Sequence, residues 1–220
     1  MEFDMVIFPP SEDRYISGKL LQRPITYEQE VSQFLHVILQ PPPTNDANLR
    51  LSPPYYWAVD LGANIGFHAL HMASMKTTMV IALEPAADTF AILKGGLQLN
   101  PGFEKRLRVI HAGATDGDTI QESNMVMHRH PDSPGMTTLA HSQELPEEWH
   151  MQQVGPMRRN HNSGAAETFS QMIRLVPVER ILDEAGLPQK GNDRMATSSP
   201  RLRLLKVDVE GYELKALRGV

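Results

Sequence analysis

The stretch that most restricts the fold of this chain is Val59-Asp60-Leu61-Gly62-Ala63-Asn64-Ile65-Gly66. An apolar run ending at Ala58 and Val59 meets an acid, then two glycines that bracket an asparagine. This reads as a strand that turns sharply into a helix. A Cβ at Gly62 or Gly66 would crowd anything approaching the main chain, and the N-terminus of the new helix faces the strand end, which suits a negatively charged ligand group. A small-molecule pocket is expected at that turn.

The next strand narrows the ligand. Thr78-Met79-Val80-Ile81-Ala82-Leu83 is apolar and partly β-branched, and it ends in Glu84-Pro85. In a βαβ unit the Glu84 carboxylate arrives beside the glycine turn, where it can accept the hydroxyls of a ribose. A nicotinamide site would use the same acid. The dinucleotide pattern G-x-G-x-x-G is absent, however, because Asn64 stands at its second glycine and an acid precedes the turn. Asp60 at the strand tip suits a cationic amino group, as in the methionyl end of S-adenosylmethionine. The residues read as an adenosyl-sulfonium site.

Composition bounds the partners. With 220 residues, 41% hydrophobic, 21% charged and a net charge of −5, the chain is long enough for one soluble domain with its own core. No Lys/Arg run tracks a helix face, so a nucleic-acid partner is not expected and a small-molecule acceptor fits better. Cysteine is absent, which excludes disulfides and thiolate metal sites. Acids and prolines interrupt the N-terminus before any signal-like apolar core, and no run reaches membrane-spanning length. No membrane partner is expected, and the default location is cytoplasmic.

In chain order, Asp13 to Gly18 reads as a short strand or hairpin. Thr26-Tyr27-Glu28-Gln29 matches a capping box that opens a helix, with Val31, Phe34, Leu35 and Ile38 as one apolar stripe lying on a sheet. Helices are expected from Ile65 to about Lys76 and from about Ala87 to Leu99. His68 and His71 read as core-edge or solvent-facing residues, since no further metal ligand lies near them. Arg106 to His111 is a third strand, followed by Gly113-Ala114-Thr115-Asp116, where Asp116 either meets an exocyclic amine or sits in an acidic surface turn. Met125 to His128 reads as a further strand leading into the stretch up to Leu139. From there to about Ala166 the chain is polar and aperiodic, expected to be a mobile excursion over one edge. Its histidines match no ligand spacing, so no metal is expected. Ile173 to Val178 alternates, Glu179 to Gly186 reads as a short helix, and Leu202 to Val207 is the last strand. That strand delivers Asp208 at its C-terminal end, as a site acid or as a helix cap.

Three segments together resemble the FkbM-type methyltransferase family: Val59 to Gly66, Ala82-Leu83-Glu84-Pro85, and Leu205-Lys206-Val207-Asp208-Val209-Glu210-Gly211-Tyr212-Glu213 with Leu217-Arg218-Gly219 after it. The resemblance implies an α/β fold: a Rossmann-like class I methyltransferase sheet, mostly parallel, with helices on both faces. It implies S-adenosylmethionine as cofactor. Asp60, Gly62, Asn64 and Gly66 would hold its methionyl part, Glu84 its ribose, Ala114, Thr115 and Asp116 its adenine side, and Asp208 the donor near its methyl. Ala63 and Pro85 fall among the same contacts. Gly113-Ala114-Thr115 departs from the family, which more often has a bulkier apolar residue before Ser. Similar proteins continue into further strands that complete the sheet and help form the acceptor pocket, so the chain reads as a fragment with its last strands missing. Residues 1–50 would be an extension packed on a core of residues 51–220.

The implied reaction is methylation of a small-molecule or sugar hydroxyl. Its acceptor proton must be removed, and Asp208 is the candidate base or orienting group, with a histidine of the excursion as the alternative. Two other readings stay open: a non-catalytic module that retains a cofactor site, and a nucleotide-dependent oxidoreductase, which the missing dinucleotide pattern disfavours.

Overall fold

The computed structural model describes residues 3–22, 27–40, 56–117, 120–130, 133–141, 167–185, 187 and 201–218. The N-terminal part holds α1 (Ser17–Leu20) and α2 (Gln29–Ile38). β1 (Tyr56–Leu61), α3 (Phe67–Ser74), β2 (Thr78–Glu84), α4 (Ala87–Leu99) and β3 (Leu107–His111) then alternate. β4 (Gly113–Thr115), β5 (Gln121–His130), β6 (Ser133–His141) and β7 (Glu167–Pro177) follow, and then α5 (Val178–Glu184), β8 (Arg201–Val207) and α6 (Glu213–Arg218).

β1 and β2 are apolar on both faces because both faces are covered. Ala58, Val80 and Ala82 join Leu70 of α3 and Leu93 of α4 in one core. The alternate residues Val59, Leu61, Ile81 and Leu83 join Val178 and Ile181 of α5 and Ala216 of α6 in another. The strands pair in the order β3-β2-β1-β8, all parallel. This is the mostly parallel sheet with helices on both faces that the sequence predicts. Parallel pairing also brings the strand ends to one edge. Leu61 lies beside Leu83 and Val207, so residues 62, 84 and 208 emerge side by side.

The sequence pattern does not anticipate a second four-stranded sheet, of order β4-β7-β5-β6. The chain leaves the first sheet at buried Ala112, and β4 then pairs parallel with β7, while β5 pairs antiparallel with β7 and with β6. β6 begins Ser133-Pro134-Gly135, a start that lacks strand propensity. At the edge of a sheet a proline is tolerated, because one side of its ladder needs no donor. The expected mobile excursion from Ser142 to Ala166 lies outside the described residues.

The N-terminal part departs from expectation twice. Asp13 to Gly18 forms a turn into α1, not a strand or hairpin. Buried Asp13 accepts hydrogen bonds from the Ile16 N–H (3.2 Å), the Ser17 N–H (2.9 Å) and the Ser17 hydroxyl (2.6 Å), which gathers the orphan donors of that helical turn. Asp13→Ala is expected to lower stability by about 2 kcal/mol in urea unfolding; an unchanged midpoint would show that the cap contributes nothing. The second departure is α2, which packs only in part. Leu35 and Leu39 are buried, yet Val31 is 38% and Phe34 55% exposed. Its N-cap is Glu28, whose backbone is left-handed and whose side chain is turned away to His68, while Thr26 of the expected capping box lies outside the described residues. Among the described residues no helix is long and apolar enough to cross a membrane, and no group of histidines and acids could hold a metal.

Candidate cofactor site

The glycine turn is folded over the tip of β2. The N–H groups of Gly62 and Ala63 donate to the Leu83 carbonyl at 3.0 and 2.8 Å, and the Asp208 N–H donates to the Leu61 carbonyl at 3.0 Å. Gly62 has φ +78°, and a Cβ there would lie 1.9 Å from the Asp208 carbonyl oxygen. Gly66, at φ +90°, has a packing role instead: a Cβ would meet Leu93 Cδ1 at 2.3 Å, so this glycine lets α3 approach α4.

Glu84 ties the turn to the second strand. Its Oε2 accepts the Asn64 N–H at 2.8 Å, and its Oε1 accepts the Ala86 N–H at 2.9 Å and the Thr89 hydroxyl at 2.8 Å. The carboxyl is 7% exposed, and burial pushes its pKa up to about 7 against the opposing pull of these donors.

The turn after β8 forms the facing wall. Glu213 accepts hydrogen bonds from the Val209 N–H (3.3 Å) and the Gly211 N–H (3.0 Å), and buried Tyr212 packs with Ala86, Ile173 and Leu175. Together these hold Asp208 at the rim. Lys206 lies behind it, its Nζ 3.1 Å from Asp60 Oδ1 and 3.3 Å from Asp208 Oδ2. Burial alone would lower the Lys206 pKa, but the two carboxylates outweigh it and the ammonium is held protonated. Burial pushes the Asp60 pKa up, and the Lys206 charge opposes that shift.

Between these walls lies an open cleft of about 670 Å³, at the C-terminal ends of the parallel strands. Of the residues singled out from the sequence, Gly62, Asn64, Glu84, Pro85, Ala114 and Asp208 line it together. Ala63 lines a smaller neighbouring cavity. The others stand elsewhere. Asp60 is fully buried, because its position in β1 is two residues from Ala58 and faces the same helix-covered side, where Lys206 meets it. Gly66 serves packing, Thr115 is buried within β4, and Asp116 is exposed beyond it, so neither of the last two reaches the cleft. Thr89, Leu175 and Tyr212 do line it and were not singled out. Lys206 had a readable signal, a lysine inside an otherwise apolar strand end; the contribution of Leu175 depends on the second sheet and had none.

Backbone strain gathers at the same place. Glu28, Asn64 and Glu210 are the non-glycine residues with positive φ among the described residues, at 43°, 54° and 50°. Each lines the cleft or the cavity beside it. Such conformations cost free energy and persist at sites where the surrounding structure imposes them.

Residues 60–220 match the family model described as the methyltransferase FkbM domain. The chain belongs to this family. It is 30% identical over 182 residues to "Methyltransferase sdnD" of Sordaria araneosa, covering 79% of this chain and 62% of that one. It is 26% identical over 169 residues to "Methyltransferase 1" of Beauveria bassiana, covering 76% of this chain and 59% of the relative. The matches thus span about three fifths of the length of these relatives. Among solved structures it is similar to methyltransferase FkbM from Methylobacillus flagellatus at 18% identity and a TM-score of 0.38, covering 86% of this chain and 35% of that one. The FkbM match takes in the glycine turn, Glu84 and the turn after β8, the three pieces that form the cleft.

Proposed function

We propose that the protein is an S-adenosylmethionine-dependent methyltransferase acting on a hydroxyl of a small molecule or sugar. The observation that carries this reading is the convergence of Gly62, Asn64, Glu84 and Asp208 on one cleft at the C-terminal ends of parallel strands. The residues present fit the cofactor. Gly62 and Gly113 line the cleft without side chains, where a Cβ would meet the Asp208 carbonyl oxygen at 1.9 Å or Leu175 Cδ2 at 2.9 Å, beside the apolar surface of Pro85 and Ala114. A carboxylate offers roughly four lone-pair directions. Asn64, Ala86 and Thr89 already use three of them on Glu84, so this group orients one ribose hydroxyl and holds the turn with the rest.

When bound, the cofactor supplies an electrophilic methyl group on a sulfonium. The protein's part is positioning, since transfer needs the acceptor in line with that methyl. Asp208 is exposed at the rim and anchored by Lys206, where it can orient an acceptor hydroxyl and take its proton. A net charge of −5 offers no attraction to a polyanion, which favours a small acceptor.

Calorimetric titration with S-adenosylhomocysteine and with NAD tests the reading. S-adenosylhomocysteine is expected to bind and NAD to show no heat. The reverse preference would sink the adenosyl-sulfonium assignment, and donor binding without methyl transfer to any hydroxyl compound would favour a non-catalytic module.

A further inference from the structure

A second, smaller open cavity adjoins the donor cleft; Gly62, Asn64 and Asp208 line both. The N-terminal part closes it, with Tyr27 and Glu28 facing Phe67 and His68 of α3. The match to the FkbM domain begins at residue 60, so Tyr27 and Glu28 lie outside it.

The charge of this cavity is predominantly negative. The Glu28 and Asp208 carboxylates and the Lys206 ammonium all line it, so acids outnumber the base, and Lys206 is already engaged with Asp60 and Asp208. Glu28 is also fixed in place. His68 Nε2 hydrogen-bonds its Oε2, and the imidazole lies against the rings of Tyr27 and Phe67, with centroids 6.4 and 5.1 Å away. The His68 side chain is 7% exposed and its Nδ1 is buried with no hydrogen-bond partner among the described residues, so Nε2 is the nitrogen placed to donate to Glu28. The His68 hydrogen bond holds the Glu28 pKa below the usual carboxylate value, which keeps the group ionised. Glu28 adopts its left-handed backbone without being glycine, strain of the kind retained at ligand sites. Asp60, the acid that the sequence pattern assigns to a cationic amino group, is fully buried and matched by Lys206.

We propose that Glu28, positioned by His68, accepts the α-ammonium group of the donor's amino-acid end in this second cavity, in the role that the sequence pattern assigns to Asp60. The adenosyl part would then lie in the larger cleft, and the two would join where Gly62, Asn64 and Asp208 line both spaces. Asp60 acts only through Lys206. This inference rests on the proposed adenosyl-sulfonium reading and adds to it a specific recognition of the amino acid.

The test compares S-adenosylhomocysteine, its desamino analogue and 5′-methylthioadenosine, which lacks the amino acid, by calorimetry on the full chain and on Glu28→Gln. Wild type is expected to bind S-adenosylhomocysteine about tenfold more tightly than the desamino analogue. Glu28→Gln should lose about tenfold toward S-adenosylhomocysteine and nothing toward the other two ligands. Equal affinity of wild type for the amino and desamino ligands overturns the proposal without any substitution, even where the variant fails to fold. A folded Glu28→Gln protein with unchanged S-adenosylhomocysteine affinity but impaired methyl transfer overturns it too, and assigns Glu28 to the acceptor. If wild type binds none of the three, the donor reading itself has failed and the proposal falls with it.

Discussion

Replacing Gly62 by alanine is expected to destabilise the protein by about 3 kcal/mol or more and to abolish donor binding. The residue has φ +78°, and the added Cβ would lie 1.9 Å from the carbonyl oxygen of Asp208 and 2.9 Å from its carbonyl carbon. Both atoms are backbone, so no side-chain rotation relieves the overlap. The glycine turn or the tip of β8 has to move, which breaks the hydrogen bond from the Asp208 N–H to the Leu61 carbonyl and opens the cleft between them. Gly102 supplies the control. It also has positive φ, +92°, but a Cβ there would meet nothing within 4 Å, so Gly102→Ala should cost only about 1 kcal/mol. Urea unfolding of the two variants measures the difference. Equal losses would mean that the approach of β1 to β8 is not what requires glycine at position 62.

With Glu84 as the proposed ribose acceptor and burial pushing its pKa up to about 7, donor affinity is expected to fall about tenfold between pH 8 and pH 6, because only the ionised form can accept the hydroxyl while holding the Asn64 and Ala86 N–H groups. Glu84→Ala should weaken S-adenosylhomocysteine binding by roughly ten- to hundredfold at pH 8. The same group makes stability depend on pH in the opposite direction. Its folded pKa, about 7, lies above the unfolded value of 4.5, so between those values the folded state binds the proton more tightly. Stability therefore falls as pH rises through this window, by about 3 kcal/mol in all, and is flat above it. His71 is pushed down to about 4 by burial, which removes stability as pH falls below 6.5. The difference between wild type and Glu84→Gln isolates the glutamate, since His71 is common to both. A wild-type affinity constant from pH 6 to pH 8 would show that Glu84 is not the ribose acceptor.

Legibility followed how local each determinant is. β2 and α4 occupy Thr78–Glu84 and Ala87–Leu99, where periodicity and the Glu84-Pro85 break place them. The turn at Gly62 carries its own chemistry in its glycines and is found where expected. Asp116 is different: it follows a strand tip as a site acid would, but β4 has crossed into the second sheet by that point and the acid is left exposed. Phe34 shows the same limit in a helix. Its i+3 spacing from Val31 is that of a buried stripe, yet α2 packs by Leu35 and Leu39 and leaves Phe34 exposed.

By itself the sequence determined the parallel sheet, the glycine turn, the ends of β1, β2 and β8, and the family. The strands and the turn rest on residues close together in the chain, where alternation and turn chemistry act through neighbours, and the parallel sheet and the family on three short motifs read together. Only the tertiary structure decided which acids line the cleft and the cavity beside it. Asp60 is withdrawn because Lys206, from a strand far along the chain, meets it inside the sheet. Glu28 is brought to the second cavity because His68, forty positions later in the chain, anchors it there. Asp60, a fully buried carboxylate, needs a partner, and for it as for the exposed Glu28 the partner arrives through long-range packing that no local pattern encodes.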